Sequence, residues 1–336
     1  MPWQYSLHKV MNEPCIYCLK LPGEEGAHEN CYVLLSEGEM LILDPPIYKP
    51  KNIEAFHRAI CQLDEDIRRI SVCLTHIHGE LSRMDPAILK DADQVFFMEE
   101  EYQDYISHNN RNYKISRFRR EGFPEEEIKK VFPVKKKQQI PVRREFIFLK
   151  DRNRIPFAGY DLRCIHTPGP TKGHICFYLT DYKILFSGAL LPQEGYPSPD
   201  VWKGRANALE HMIDSLEMLK KIETEQILPG IGAPFSDVCS RVEDIVGYYS
   251  MRLLQLYQLV RDHPGENAYE LALRFGYPRV NAERISAKNR WRLMKETLAC
   301  LVQLRLNKYV STQRNEICVR NYPGSTTLSD NIISNL

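Results

Sequence analysis

Residues 74–81 read Leu-Thr-His-Ile-His-Gly-Glu-Leu. The run that leads into them, Ile70 to Leu74, is short and apolar, the pattern of an inner strand buried on both faces. Alternate residues of an extended chain project to the same side. His76, His78 and Glu80 therefore share a face at the end of that strand. Two histidines at i and i+2 can reach one metal ion, and a carboxylate at i+4 can be its third ligand. Two His and one Glu form an accepted catalytic zinc set. The metal-free alternative has the histidines hydrogen-bonded to Glu80 and to backbone.

Three further stretches extend the pattern along the chain. Residues 165–170 read Ile-His-Thr-Pro-Gly-Pro, residues 184–189 Ile-Leu-Phe-Ser-Gly-Ala, and residues 227–232 Ile-Leu-Pro-Gly-Ile-Gly. In this order and at these separations, the four stretches resemble the signature loops of the metallo-β-lactamase fold. Active members of that family read roughly T-H-x-H-x-D-H, T-P-G-H, F-x-G-D and L-P-G-H-G there. The resemblance covers about residues 28–235. The tail from 240 to 322 resembles the helical C-terminal domain of one bacterial branch of these hydrolases.

The resemblance assigns a role to each position. His76 and His78 match two ligands of the first metal. Glu80 stands where the aspartate of the second metal belongs, and Leu81 where its histidine belongs. Pro170 replaces the third histidine of the first metal, Ala189 the bridging aspartate, and Ile231 the last histidine of the second metal. The turn residues survive: Thr75, Gly169, Gly188 and Gly230 shape loops, and Asp44 matches an aspartate that is structural in the family. His166 and His174 stand where this branch often has histidine without using it as a ligand, and they are read as pocket residues. Random decay would damage turns and ligands alike. The losses here fall on the metal-binding atoms.

A metal hydrolase needs an ion to acidify water and polarise the scissile group. Leu81, Pro170, Ala189 and Ile231 would put apolar walls where donors belong, leaving a partly apolar pocket beside His76, His78 and Glu80. The leading expectation is a pseudoenzyme without cofactor: a ligand-binding, regulatory or scaffolding protein. The alternative is a hydrolase of ester, thioester or phosphodiester bonds, using one zinc, iron or manganese ion on His76, His78 and Glu80, or metal-free His/Glu chemistry. A third reading is nucleic-acid binding.

Composition bounds these readings. The chain has 336 residues and a formal net charge of +1, so no global field steers nucleic acid or an anionic membrane. Apolar residues make up 43%, enough for a real core. No apolar run approaches the roughly 20 residues that span a bilayer, and the first residues lack the basic-then-apolar pattern of a secretory signal. Ten cysteines are scattered, several inside apolar runs, which suits reduced thiols and a cytoplasmic location. Cys15 and Cys18 form a C-x-x-C with no second pair to complete a zinc site.

The expected architecture is an αββα sandwich over residues 1–236, with a basic helical insertion at about 101–140. A small helical, winged-helix-like domain follows over 237–336. Within 111–150 lie thirteen Lys or Arg against five Glu. That charge reads as a solvated helical face, with an anion-facing lid as the alternative. Helices are expected at 51–63 and 205–222, from a cap at Asp237 to the stop at His263-Pro264-Gly265, and at 268–275 and 290–304. A hairpin of strands 308–311 and 316–319 would close the chain. Packing or homodimerisation is preferred for this last domain over nucleic-acid binding.

Overall fold

The computed structural model describes residues 5–23, 28–46, 50–63, 66–77, 92–101, 108–132, 145–203, 207–276, 286–314 and 319–326. The chain divides into two compact units. The first comprises residues 1–106, 137–197 and 216–241. The second comprises residues 107–136, 198–215 and 242–336.

The first unit is built on two sheets. One has seven strands in chain order: β1 (Ser6–Met11), β2 (Cys15–Pro22), β3 (His28–Ser36), β4 (Glu39–Leu43), β5 (Arg69–Cys73), β6 (Gln94–Met98) and β7 (Glu145–Leu149). Strands β1 to β4 are antiparallel, and β4 to β7 are parallel. Helix α1 (Pro50–Ile60) makes the crossover from β4 to β5 that a parallel pair requires. The second sheet has the order β12-β11-β10-β9-β8, from β8 (Arg154–Phe157), β9 (Tyr160–His166), β10 (Ile175–Leu179), β11 (Ile184–Gly188) and β12 (Gln226–Pro229). It is antiparallel except between β11 and β12.

Strand alternation sorts the side chains into two cores. Leu34, Leu41, Leu43, Cys73 and Phe96 of the first sheet pack in one cluster with Leu162, Cys164, Ile175, Phe177 and Phe186 of the second. The opposite face of the first sheet, with Val33, Ile42, Val72 and Phe97, buries Ala55, Phe56 and Ala59 of α1. The C-x-x-C lies on β2, where residues three apart point to opposite faces. Cys18 is buried and Cys15 half-buried, so the two thiols do not converge.

The second unit holds helices α2 (His108–Arg120) and α3 (Glu125–Val131). It also holds most of α4 (Ala208–Leu219) and α5 (Val238–Asp262), with α6 (Ala268–Gly276), α7 (Ala287–Leu306) and the hairpin β13 (Val310–Arg314) and β14 (Val319–Pro323). Here the structure differs from the expected domain division. The basic insertion groups with the C-terminal helices, because its apolar residues are buried there. Phe118 stacks on Trp291 of α7 with ring centroids 3.8 Å apart, and Phe123 and Phe132 meet the same indole edge-on. Glu121, 1% exposed, takes the Arg305 guanidinium on both oxygens at 3.0 and 2.9 Å, and Arg117 at 3.1 Å. Among the described residues several of these basic groups are paired: Arg119 with Glu125, Lys129 with Glu126, Lys130 with Glu127.

The Asp237 cap is present, its carboxylate accepting the Ser240 N–H at 2.9 Å. The final hairpin is shifted two to four residues along from its expected place. Helix α7 runs on to Leu306, and the Asn321 N–H donates to the Glu266 carbonyl at 3.1 Å, which fixes the register of β14. Among the described residues no helix is long and apolar enough to cross a membrane.

Candidate functional site

The parallel registers bring the signature loops together. Leu43 of β4 lies beside Cys73 of β5, so both strands end at one edge and set Asp44 next to Thr75. Strands β11 and β12, parallel in the second sheet, end at Gly188 and Pro229. The β9–β10 loop joins them, since the Ile175 N–H donates to the Thr75 carbonyl at 2.9 Å. Ligand sites of α/β sheets form at such carboxyl ends.

Asp44 sits at a left-handed φ of 49°, a conformation Asp tolerates better than most residues. Its carboxylate accepts the Thr75 N–H at 2.8 Å and the Thr75 hydroxyl at 2.7 Å. Desolvation pushes this carboxyl up to about 6, against the pull of the two Thr75 hydrogen bonds. An ionised carboxylate only accepts, so the Thr75 hydroxyl hydrogen is committed to it. The 2.8 Å contact between Thr75 Oγ1 and His76 Nδ1 then has the imidazole N–H as donor. His76 is held as the tautomer protonated on Nδ1, with its lone pair on Nε2. Asp44, Thr75 and His76 form one chain of hydrogen bonds.

His174, 0% exposed, is fixed on both nitrogens. Its Nε2 accepts the Ala189 N–H at 3.1 Å, so Nδ1 carries the proton and donates to Thr167 Oγ1 at 2.8 Å. The rings of His76 and His174 lie 5.5 Å apart. His166 donates from Nε2 to the Lys172 carbonyl at 2.8 Å, and its backbone N–H donates to Asp151 at 2.9 Å. His166 and His174, expected to line a pocket, each make hydrogen bonds within the loops. Both pin the β9–β10 loop, and the His174 ring is buried among loop atoms with no lone pair to offer.

Several supporting residues carry no sequence signal. Glu101, 4% exposed, accepts the Gly173 N–H at 3.0 Å and the Ile77 N–H at 3.1 Å, tying the two histidine-bearing loops together. Asn30 donates to the Pro229 and Gly232 carbonyls, both at 2.8 Å, and the Tyr32 hydroxyl donates to Pro229 at 2.8 Å. The glycines are required by close approach. A Cβ on Gly188, at φ 51°, would lie 2.6 Å from Thr75 Oγ1 and 2.9 Å from His174 Nε2. One on Gly230 would lie 2.6 Å from the Gly188 carbonyl oxygen.

This architecture is found in known proteins. A sequence model of the metallo-beta-lactamase superfamily matches residues 95–231. A solved metallo-beta-lactamase family protein of Thermus thermophilus superposes with a TM-score of 0.75 at 25% identity, over 92% of this chain and 98% of that one. The chain has the metallo-β-lactamase fold. A β-lactamase domain protein of Burkholderia ambifaria gives the same TM-score at 17% identity, over 95% of this chain and 94% of its own. The Caenorhabditis elegans homologue of Beta-lactamase-like protein 2 is 23% identical over 168 residues, 50% of this chain and 54% of its own length. Its Drosophila melanogaster counterpart is 28% identical over 129 residues, 38% of this chain and 41% of its own. The chain thus spans about half the length of these curated relatives.

Within the metallo-β-lactamase frame, four of the seven metal-ligand positions are described. His76 carries a ligand atom. Pro170, which is buried, and Ala189 and Ile231, which are half-buried, carry none. His78, Glu80 and Leu81 lie outside the described residues. Among the described residues no group of three or more His, Cys, Asp or Glu is placed to hold a metal ion. Ala189 of the third signature stretch and Ile231 of the fourth, where the resemblance puts a bridging aspartate and a closing histidine, have side chains that end in carbon.

Proposed function

We propose that the chain uses the metallo-β-lactamase fold as a ligand-binding, regulatory or scaffolding protein, without two-metal hydrolysis. One observation carries this reading. Framework residues of the signature loops are intact and internally satisfied, while Pro170, Ala189 and Ile231 offer no ligand atom at three metal positions. A buried divalent ion needs charged or strongly polar donors to replace its water. Apolar walls there favour a dry pocket for a small organic molecule or a partner's side chain.

A specific observation supports a second reading. The Asp44–Thr75–His76 chain holds one imidazole nitrogen and directs the lone pair to the other, as outer partners of metal-bound histidines do. A single zinc, iron or manganese ion on His76, His78 and Glu80 would supply a polarised water for ester, thioester or phosphodiester hydrolysis. The two relatives named as β-lactamase-like are compatible with either reading.

The C-terminal helices and hairpin follow the order of a winged helix, and we assign them to packing or homodimerisation. The pairing of the basic insertion with its own glutamates weighs against nucleic acid. A cytoplasmic location suits the unpaired cysteines.

The deciding experiment is metal content by mass spectrometry on untagged protein, beside a His76→Ala, His78→Ala variant. We expect neither protein to hold metal. Near-stoichiometric zinc, iron or manganese that vanishes in the variant would overturn the metal-free reading in favour of the single-ion hydrolase.

A further inference from the structure

Helix α5 is 25 residues long and has two unlike faces. Ile245, Tyr249, Leu253, Leu256 and Val260 are buried and anchor it in the fold. The other face carries Asp244, Gly247, Met251, Leu254, Gln258 and Arg261, all within the second unit. Leu254 is half-buried, and the other five are exposed. The steps between them alternate strictly between three and four residues, the spacing of a seam along which one helix packs lengthwise on another.

Two residues of this seam have no use within the chain's own fold. Met251, a large apolar side chain next to Leu254 at the middle of the seam, is 64% exposed. Gly247 stands in mid-helix, where glycine weakens a helix relative to alanine. A Cβ there would meet nothing within 4 Å among the described residues, so internal packing does not require the glycine. A bare backbone facing open space lets another chain approach closely.

The order of the seam selects that other chain. It is acidic at its N-terminal end, apolar in the middle and basic at its C-terminal end. A second copy of α5, laid antiparallel by two-fold symmetry, sets Met251 against the partner's Leu254. The same register sets Gly247 against the partner's Gln258 and Asp244 against the partner's Arg261, and symmetry makes each contact twice. Apolar groups then meet at the centre and opposite charges at both ends. A parallel pairing would set like charges together at each end, which is unfavourable. Asp244 also has a contact within its own chain, but an ionised carboxylate accepts at two oxygens and can take a guanidinium as well. Glu243 and Asp262 fall on opposite flanks of the seam, so an antiparallel partner does not bring them together.

We propose, resting on the assignment of the C-terminal helices to homodimerisation, that this face of α5 is the interface of an antiparallel homodimer. Met251 and Leu254 form its core, and Asp244 and Arg261 fix its register.

The test is sedimentation velocity of the full chain over a wide range of concentration, with circular dichroism to check that each variant folds. The wild type is expected to sediment as a dimer, and Met251→Glu as a folded monomer. Asp244→Arg and Arg261→Asp each place like charges in both outer contacts, and each should weaken association about tenfold or more. Mixed in equal amounts, these two variants regain both opposite-charge contacts and should associate with each other. No association on mixing would overturn the antiparallel register. A wild-type dimer that all three substitutions leave intact would overturn the α5 interface and keep the homodimer reading. A wild type that is monomeric throughout would overturn both.

Discussion

His174 Nε2 accepts the backbone N–H of Ala189 at 3.1 Å. Ala189 stands where the resemblance puts the bridging aspartate of two metals, and its main chain is held whatever its side chain. The loop therefore keeps its course while its ligand is absent. Restoring ligands becomes a fair test of how much geometry persists. Leu81→His, Pro170→His, Ala189→Asp and Ile231→His together should raise bound zinc to at least one equivalent, read by mass spectrometry. No gain in zinc would show that the loops have moved from the spacing two metals need.

Thr75 carries the contact between Asp44 and His76. Thr75→Val keeps the shape and removes the hydroxyl that links Asp44 to His76. The cost should be about 1–3 kcal/mol in a urea titration. Thr75→Ser, which keeps the hydroxyl, should recover most of it.

Gly188 and Gly159 separate backbone strain from steric conflict. Both have positive φ, 51° and 77°. A Cβ at 159 meets nothing within 4 Å, whereas one at 188 would strike Thr75 and His174. Gly159→Ala should cost about 1–2 kcal/mol, the price of the left-handed conformation alone. Gly188→Ala should cost clearly more, and should alter the imidazole NMR signals of His174.

Asp44 and Glu121 predict opposite pH dependences. Burial raises the Asp44 carboxyl to about 6. Between about 4 and 6 the folded state holds a proton that the unfolded chain has released, so this group's contribution falls as pH rises. The stability gap between wild type and Asp44→Asn should change in that sense over that window and be flat above it. Glu121, though burial opposes its ionisation, is held below the usual range by Arg305 and Arg117. Its contribution is present above the ordinary Glu value and lost as pH falls below it. Glu121→Gln should cost about 3–5 kcal/mol at neutral pH, the cost of breaking a buried ion pair. The cost should shrink in acid, as denaturant midpoints at several pH values would show.

The two-sheet core was legible through the resemblance of the four signature stretches, whereas strand alternation alone reads only as α/β or α+β. The apolar run before Thr75 and the Pro-Gly turns each encode local geometry. Asp44 was legible through the resemblance, which matches it to a structural aspartate. Glu101 was not. Nothing near it in the sequence announces a carboxylate that binds the amides of Ile77 and Gly173, residues far apart along the chain. The partners of His174 were hidden for a related reason: the sequence does not show that its two ring nitrogens meet Thr167 Oγ1 and the Ala189 N–H. The insertion was read by its charge, but its place was set by Phe118, Phe123 and Phe132 around Trp291, a contact between segments some 160 residues apart that periodicity does not encode.

The second unit is gathered from three separated stretches of chain. During synthesis its first stretch, carrying Phe118 and Glu121, emerges long before Trp291 and Arg305 exist to receive it. Those apolar and ionised groups must wait in a nascent chain whose seven-stranded sheet already has all of its strands soon afterwards. Late mutations in α7 should therefore expose the early insertion to chaperones and proteases, and a gene cut short near residue 280 would release a protein whose weak point lies near residue 120.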